Sequence, residues 1–159
     1  MCLTINENYH KGKVNLTQGI VTDTDIQVWK CLDDKADGYF TPYVGKEIKF
    51  SNGIATQSYR RFTWGDNKKT SIARGIHSFS EEFEASRVAM QFHHSCNTKK
   101  FYAVIPKGSH IFIGIEGDIV SDKLLIFESD MDFRYYKIKH DVISVNKFFG
   151  TIVDGNTEK

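Results

Sequence analysis

The chain has 159 residues, of which 40% are hydrophobic and 13% aromatic, enough apolar material to pack the core of one domain spanning residues 1–159. Lys and Arg number 21 against 20 for Asp and Glu, which gives a formal net charge of +1. This near-neutral balance excludes a global field that would attract long nucleic acid or an anionic membrane.

Three cysteines at wide, irregular spacing, Cys2, Cys31 and Cys96, do not form the pattern of a disulfide framework. They indicate a reducing compartment. The start of the chain does not resemble a secretory leader, and no run approaches the ~20 apolar residues of a membrane span. We therefore expect a cytoplasmic protein that does not cross a membrane.

Strand-like runs dominate, because aliphatic and aromatic residues recur at short intervals between Gly, Asn and Asp. In chain order the predicted strands are 25–32, 46–50, 59–64, 100–106, 110–115 and 123–128. One helix is predicted over about 79–93, since Ser78 and Glu81 have the form of a capping box and Ala85, Val88 and Phe92 recur at helical spacing.

The tail is interpreted as a C-terminal β-hairpin over 131–149, on the weak alternation of its aromatic and charged residues. Together these elements predict an α+β protein with a twisted, mostly antiparallel sheet and one principal helix.

The turn that precedes the predicted helix is the first candidate binding site. Gly75 would allow a ligand to approach the backbone closely, and His77 would stand at the mouth of the site. The alternative is that Gly75 ends a strand and His77 is an ordinary surface residue. The sequence leaves both interpretations open.

Two further segments carry candidate residues. The Gly-rich stretch 105–127 places Glu116 and Asp118 at a turn. Carboxylates at such a turn fit either acid–base catalysis or an ordinary solvated hairpin loop. Arg60 and Arg61 lie in the most basic part of the chain, which suits a phosphate ligand or a charged solvent face. No group of residues has metal-ligand spacing, so we expect no metal site.

Five short segments resemble a family of small uncharacterised proteins from phages and gut bacteria, and the similarity covers most of residues 1–128. These segments are Met1-Cys2-Leu3, Val28-Trp29-Lys30, Thr41-Pro42-Tyr43, Gly75-Ile76-His77-Ser78 and Ile105-Pro106-Lys107-Gly108-Ser109. The resemblance implies a location in a bacterial cell or a phage-infected host.

Gly75-Ile76-His77, followed by Phe79, is also similar to the middle element of the ADP-ribosyltransferase-like fold. That similarity implies a nucleotide site. Trp29 or Lys30 would lie in its first strand, His77 would stack on or position the base, and Glu116 or Asp118 would take the place of the catalytic glutamate.

The resulting hypothesis is recognition of NAD or a related nucleotide, with transfer of its ADP-ribosyl group left open. Arg60 and Arg61 would contact the phosphates, while Glu116 or Asp118 would stabilise positive charge at the ribose. The alternative hypothesis is a non-enzymatic interaction protein, such as a phage-encoded inhibitor of host defence or a small virion component, whose partner is a host protein. Its aromatic surface would comprise Tyr39, Phe40, Tyr43, Tyr135 and Tyr136.

Overall fold

The computed structural model describes residues 3–6, 9–10, 19–41, 45–59, 62–65, 71–85, 87 and 97–157. The strands β1 to β14 are Leu3–Thr4, Ile20–Val21, Asp25–Lys35, Gly38–Phe40, Glu47–Ile48, Ile54–Ser58, Thr63–Trp64, Ser71–Arg74, Ile76–Phe79, Asn97–Ile105, His110–Ile113, Asp118–Ser121, Lys123–Phe127 and Val142–Ser144. Helix α1 is Asp130–Lys139 and helix α2 is Val145–Thr157. Residues 82–85 and 87 are also helical.

The strands form a large sheet and a small one. The large sheet has the order β2-β11-β12-β9-β3-β10-β13-β6, with β4 and β14 also paired to β3 and β5 paired to β4. The small sheet has the order β1-β8-β7. Within the described residues every pairing between strands is antiparallel except that of β14 with β3. The predicted α+β class with a mostly antiparallel sheet is confirmed.

Side chains alternate between the two faces of the large sheet, so each strand contributes residues to the apolar clusters on both faces. One face of β3, β10 and β13 contributes Val28, Ala103 and Ile126 to the main core, while Tyr102 and Phe127 point to the opposite face, where Phe133 of α1 packs. At the other end of the sheet, Phe112 of β11 and Val120 of β12 pack against residues of the small sheet. Helix α1 and the small sheet therefore cover the same face of the large sheet, at opposite ends of it.

The predicted hairpin over 131–149 is wrong, because this segment forms α1, the short strand β14 and the start of α2. A capping box begins α1: the Ser129 side chain accepts a hydrogen bond from the Asp132 backbone amide, and Asp132 accepts one from Ser129. Acidic residues in the first turn and lysines in the last turn complement the helix dipole. These local signals prevail over the weak alternation.

The predicted helix over about 79–93 is wrong at its start, and it is not the one principal helix. Residues 76–79 form β9, in which Ser78 is fully buried and pairs with Ile119, so Ser78 does not cap a helix. The helical residues begin at 82, and residues 88–93 lie outside the described residues. Pairing with β12 on one side and with Trp29 of β3 on the other explains why a strand forms here.

We expect the link between α1 and β3 to be a measurable source of stability. The Tyr136 hydroxyl donates to Asp25 Oδ2 at 2.7 Å, while Asp25 Oδ1 accepts from the Lys107 backbone amide at 2.7 Å. Tyr136→Phe should lower the free energy of unfolding by about 1–3 kcal/mol, measured by urea denaturation, because it leaves a charged acceptor with one partner fewer. Tyr135→Phe is the matched control, since Tyr135 is exposed. Equal stability of the two variants would contradict a structural role for this hydrogen bond.

Candidate functional site

Three neighbouring strands bring several predicted site residues onto one surface. Trp29 of β3 pairs with Phe79 of β9, which in turn pairs with Asp118 of β12. His77 is two residues from Phe79 and pairs with Val120. Because side chains alternate along a strand, all five residues point to the same side of the sheet, called here the His77 face.

His77 is largely buried and uncharged at neutral pH. Burial, together with the nearby charge of Lys30, lowers the pKa of His77 from 6.5 to about 4, although a hydrogen bond to the Ala73 backbone acts in the opposite direction. Its Nδ1 atom is buried and has no hydrogen-bond partner in the described part of the chain. The ring therefore presents one unused polar atom on the His77 face.

Asp118 presents a second unused polar atom on the same face. Burial raises the pKa of its carboxyl group, while hydrogen bonds from the backbone of Asp118 and Glu116 partly oppose this effect. The Oδ1 atom is buried and has no partner among the described residues. The side chain lies against Gly114, where any Cβ atom would collide with the carboxyl group. A glycine at position 114 is thus required for this placement of Asp118.

Gly75 does not leave the room for a ligand that was expected there. A Cβ atom at this position would collide with Val120 Cγ1 and would lie 3.0 Å from Phe62 Cδ1. The space beside Gly75 is filled by the protein's own side chains. Its lack of a side chain serves the packing of β8 and β9 against β12 and Phe62.

Trp29 and Lys30 point to opposite sides of β3. Trp29 lies on the His77 face and packs against Tyr102, with 4.4 Å between ring centroids. Lys30 points into the main core, where its Nζ atom donates to the His77 carbonyl oxygen at 2.7 Å. The structure therefore joins Lys30 to the backbone of His77 and separates it from the imidazole side.

The main core around Lys30 contains polar atoms that the sequence interpretation missed. Antiparallel pairing places Lys30 beside Ser78, and Ser121 follows two residues after Ile119, the partner of Ser78. Both serines are fully buried, and neither hydroxyl has a partner in the part of the chain that the structure describes. The sequence does carry a signal for the burial of Lys30. Lys30 is two residues from both Val28 and Leu32 on the same strand, so its side chain points to the same side as these core residues.

Glu116 lies outside the His77 face. Its side chain is 67% exposed at the turn between β11 and β12, and its carboxylate is 3.9 Å from Arg87 Nη2. Arg87 makes a closer ion pair with Glu84, at 3.0 Å. Arg60 and Arg61, the predicted phosphate ligands, lie outside the described residues.

An open cavity of about 170 Å³ lies under α1, and none of the predicted site residues lines it. It is bordered by Gln27, Tyr102, Asp130, Phe133, Arg134 and Lys137. Within the described residues, no group of three or more His, Cys, Asp or Glu side chains is arranged to hold a metal ion.

The aromatic surface predicted for the interaction hypothesis is largely absent from the described residues. Tyr39 packs edge-on against Phe101, with ring centroids 5.1 Å apart, and Tyr136 stacks on His140. Phe40 is half-buried, and Tyr43 lies outside the described ranges. Of the four that the structure describes, Tyr135 alone is largely exposed, because it lies on the face of α1 that points away from the sheet.

We expect Lys30 to destabilise the fold at neutral pH. Burial lowers the pKa of Lys30 from 10.5 to about 8. Between these two pH values the Lys30 amine is protonated in the unfolded chain and neutral in the folded chain. The stability contribution of this group therefore rises as the pH increases from about 8 to 10.5. Below pH 8 the penalty is fully present, at about 3 kcal/mol.

Lys30→Met should consequently raise the free energy of unfolding at pH 7, and the difference from the natural protein should shrink as the pH approaches 10.5. Urea denaturation over this pH range measures both effects. Lys123→Met is the control, because Lys123 is exposed on β13. A Met variant that is less stable than the natural protein at every pH would show that the amine is a net stabiliser of the core.

No family model, curated protein or solved structure matches this chain. The resemblance to small phage and gut-bacterial proteins, and the similarity to the ADP-ribosyltransferase-like fold, therefore stay predictions from the sequence. Among the described residues, no helix has both the length and the apolar character that crossing a membrane requires.

Proposed function

We propose that the protein binds NAD or a related nucleotide against the His77 face. The observation that carries this proposal is the pair of buried polar atoms without partners, His77 Nδ1 and Asp118 Oδ1, on the same side of adjacent strands. Buried polar atoms are nearly always hydrogen-bonded in folded proteins. A ligand that donates a hydrogen bond to each atom would satisfy them, because the carboxylate oxygen accepts and Nδ1 of a neutral ring whose other nitrogen donates to Ala73 also accepts.

The chemistry of the two groups suits the polar parts of a nucleotide. The carboxylate oxygen of Asp118 accepts hydrogen bonds, as ribose hydroxyls and an adenine amino group require. His77 is neutral at pH 7, so its ring can stack on a base without the cost of burying a charge. Trp29 adds a second aromatic surface on the same face.

One cation, Arg87, lies beside this face and would meet a phosphate of the ligand. Arg87 lies near the β11–β12 turn, where it contacts two carboxylates, and it would exchange one of them for a phosphate oxygen. Ser80 and Gly117 hold the helical segment against this turn, because the Ser80 amide donates to the Gly117 carbonyl oxygen at 2.9 Å. The cation is therefore tied to the same end of β12 as Asp118.

The proposal covers binding and assigns no reaction. Glu116, one of the two predicted catalytic carboxylates, is directed to solvent and to Arg87. Asp118 is buried beside Gly114, with Phe79 opposite it on β9. A ligand that reaches Asp118 must therefore displace packed side chains of the His77 face, which implies a small rearrangement on binding.

Thermal unfolding with NAD and with ADP-ribose tests this function. At a ligand concentration one hundred times the dissociation constant, binding stabilises the native state by about 2.7 kcal/mol, which corresponds to a rise in Tm of about 5–10 °C for a chain of this size. Ribose and inorganic phosphate serve as weak-binding controls. If neither nucleotide raises the Tm at millimolar concentration, the proposal is wrong, and the interaction hypothesis gains support.

Two carboxylate variants locate the site. Asp118→Asn should abolish most of the rise in Tm, because it replaces an acceptor oxygen with a donor at nearly the same size. Glu116→Gln should preserve the rise, since this side chain is exposed. Circular dichroism confirms that each variant is folded. An Asp118→Asn variant that responds like the natural protein would remove the His77 face as the binding site.

A further inference from the structure

The outer face of α1 carries an apolar stripe that the described structure leaves uncovered. Met131, Tyr135 and Ile138 are 56%, 62% and 79% exposed. At 100° per residue these three side chains fall within an arc of about 60°. Phe133 and Tyr136 point to the opposite side of the helix, where they contact Phe127 of the sheet. Aligned exposed apolar side chains are typical of interaction surfaces.

The acidic and basic residues of α1 are concentrated at opposite ends of the helix. Asp130 and Asp132 lie in its first turn, and Lys137 and Lys139 lie in its last turn. A surface with both signs does not suit an anionic membrane, which selects a basic face. It suits a partner whose charges run in the reverse order.

We propose that the stripe binds the same stripe of a second copy of the chain, with the two α1 helices antiparallel. A two-fold axis at Tyr135 would place Met131 of each copy beside Ile138 of the other. The same operation places the acidic first turn of one helix beside the basic last turn of the other. The apolar contact and the charges of the two end turns are therefore self-complementary, while the exposed Arg134 of each copy would lie near the axis at the edge of the contact.

The helix dipoles also favour this arrangement, because antiparallel helices set the positive end of one beside the negative end of the other.

The proposed contact between the two α1 helices is small. Ten residues of helix are about 15 Å long, so the buried area per copy falls below the ~800 Å² of a standard interface. The dimer should accordingly dissociate on dilution. This inference does not rest on nucleotide binding, and its outcome does not affect that proposal.

Sedimentation velocity over a concentration series measures the association. The natural protein should shift from monomer to dimer as its concentration rises. Ile138→Asp should weaken the dimer by about tenfold or more, because it buries a carboxylate against an apolar side chain. Val21→Asp is the matched control, since Val21 is 57% exposed on β2. A natural protein that stays monomeric throughout the series, or an Ile138→Asp variant that dimerises as the natural protein does, would overturn the proposal.

Disulfide cross-linking tests the two-fold axis directly. In a Cys2→Ser/Cys96→Ser background, Cys31 stays as a buried thiol. Tyr135→Cys added to this background should form an intermolecular disulfide under mild oxidation, because the two copies of position 135 face each other. Lys123→Cys, exposed on β13, should remain largely monomeric. Equal cross-linking of the two variants, or none at position 135, would overturn the antiparallel arrangement.

Discussion

The pairing of β3 with its neighbours is the constraint on which the rest of the structure depends. This strand is 11 residues long and pairs with β9, β10, β4 and β14. It therefore joins the β9–β12–β11–β2 side of the sheet to the β10–β13–β6 side. The alternation along β3 also decides the chemistry of both faces, because it directs Trp29 to the His77 face and Lys30 into the main core.

The polar groups near β3 make this part of the core different from its surroundings. Lys30, Ser78 and Ser121 are buried among aliphatic side chains, and the only hydrogen bond of the Lys30 amine in the described structure is to the His77 carbonyl oxygen. A core selected only for stability would place apolar residues at these positions. Departures from that rule concentrate at functional sites. The contact between Lys30 and His77 therefore makes this part of the core a candidate for a functional site.

The longer strands could be predicted from the sequence, whereas the helices and the burial of polar residues could not. Apolar runs such as 25–32 and 100–106 mark β3 and β10, because a strand with a buried face must repeat its apolar residues at short intervals. Short strands such as β9 and β12 depend on their partners and carry little local signal. Ser78 shows the limit most clearly, since its capping pattern with Glu81 is genuine in sequence but tertiary pairing with Ile119 prevails.

For the candidate site, the structure places His77 and Asp118 on adjacent strands, whereas the sequence could not separate Glu116 from Asp118. Both are carboxylates near a glycine, and the difference arises from pairing: Asp118 enters β12 and is buried, while Glu116 stays in the turn. Likewise, the adjacent positions of Trp29 and Lys30 in sequence suggested a shared role, which alternation along a strand rules out.

The parallel pairing of β14 with the start of β3 has a consequence for how the chain folds. Residues 142–144 contact residues 25–27, which are on the order of a hundred residues distant along the chain. Closing such a long loop costs entropy that only an already formed sheet can repay. The segment around β14 should thus dock late on a nascent chain, so that partly synthesised molecules would leave this edge of β3 unpaired until residues 142–144 have emerged from the ribosome.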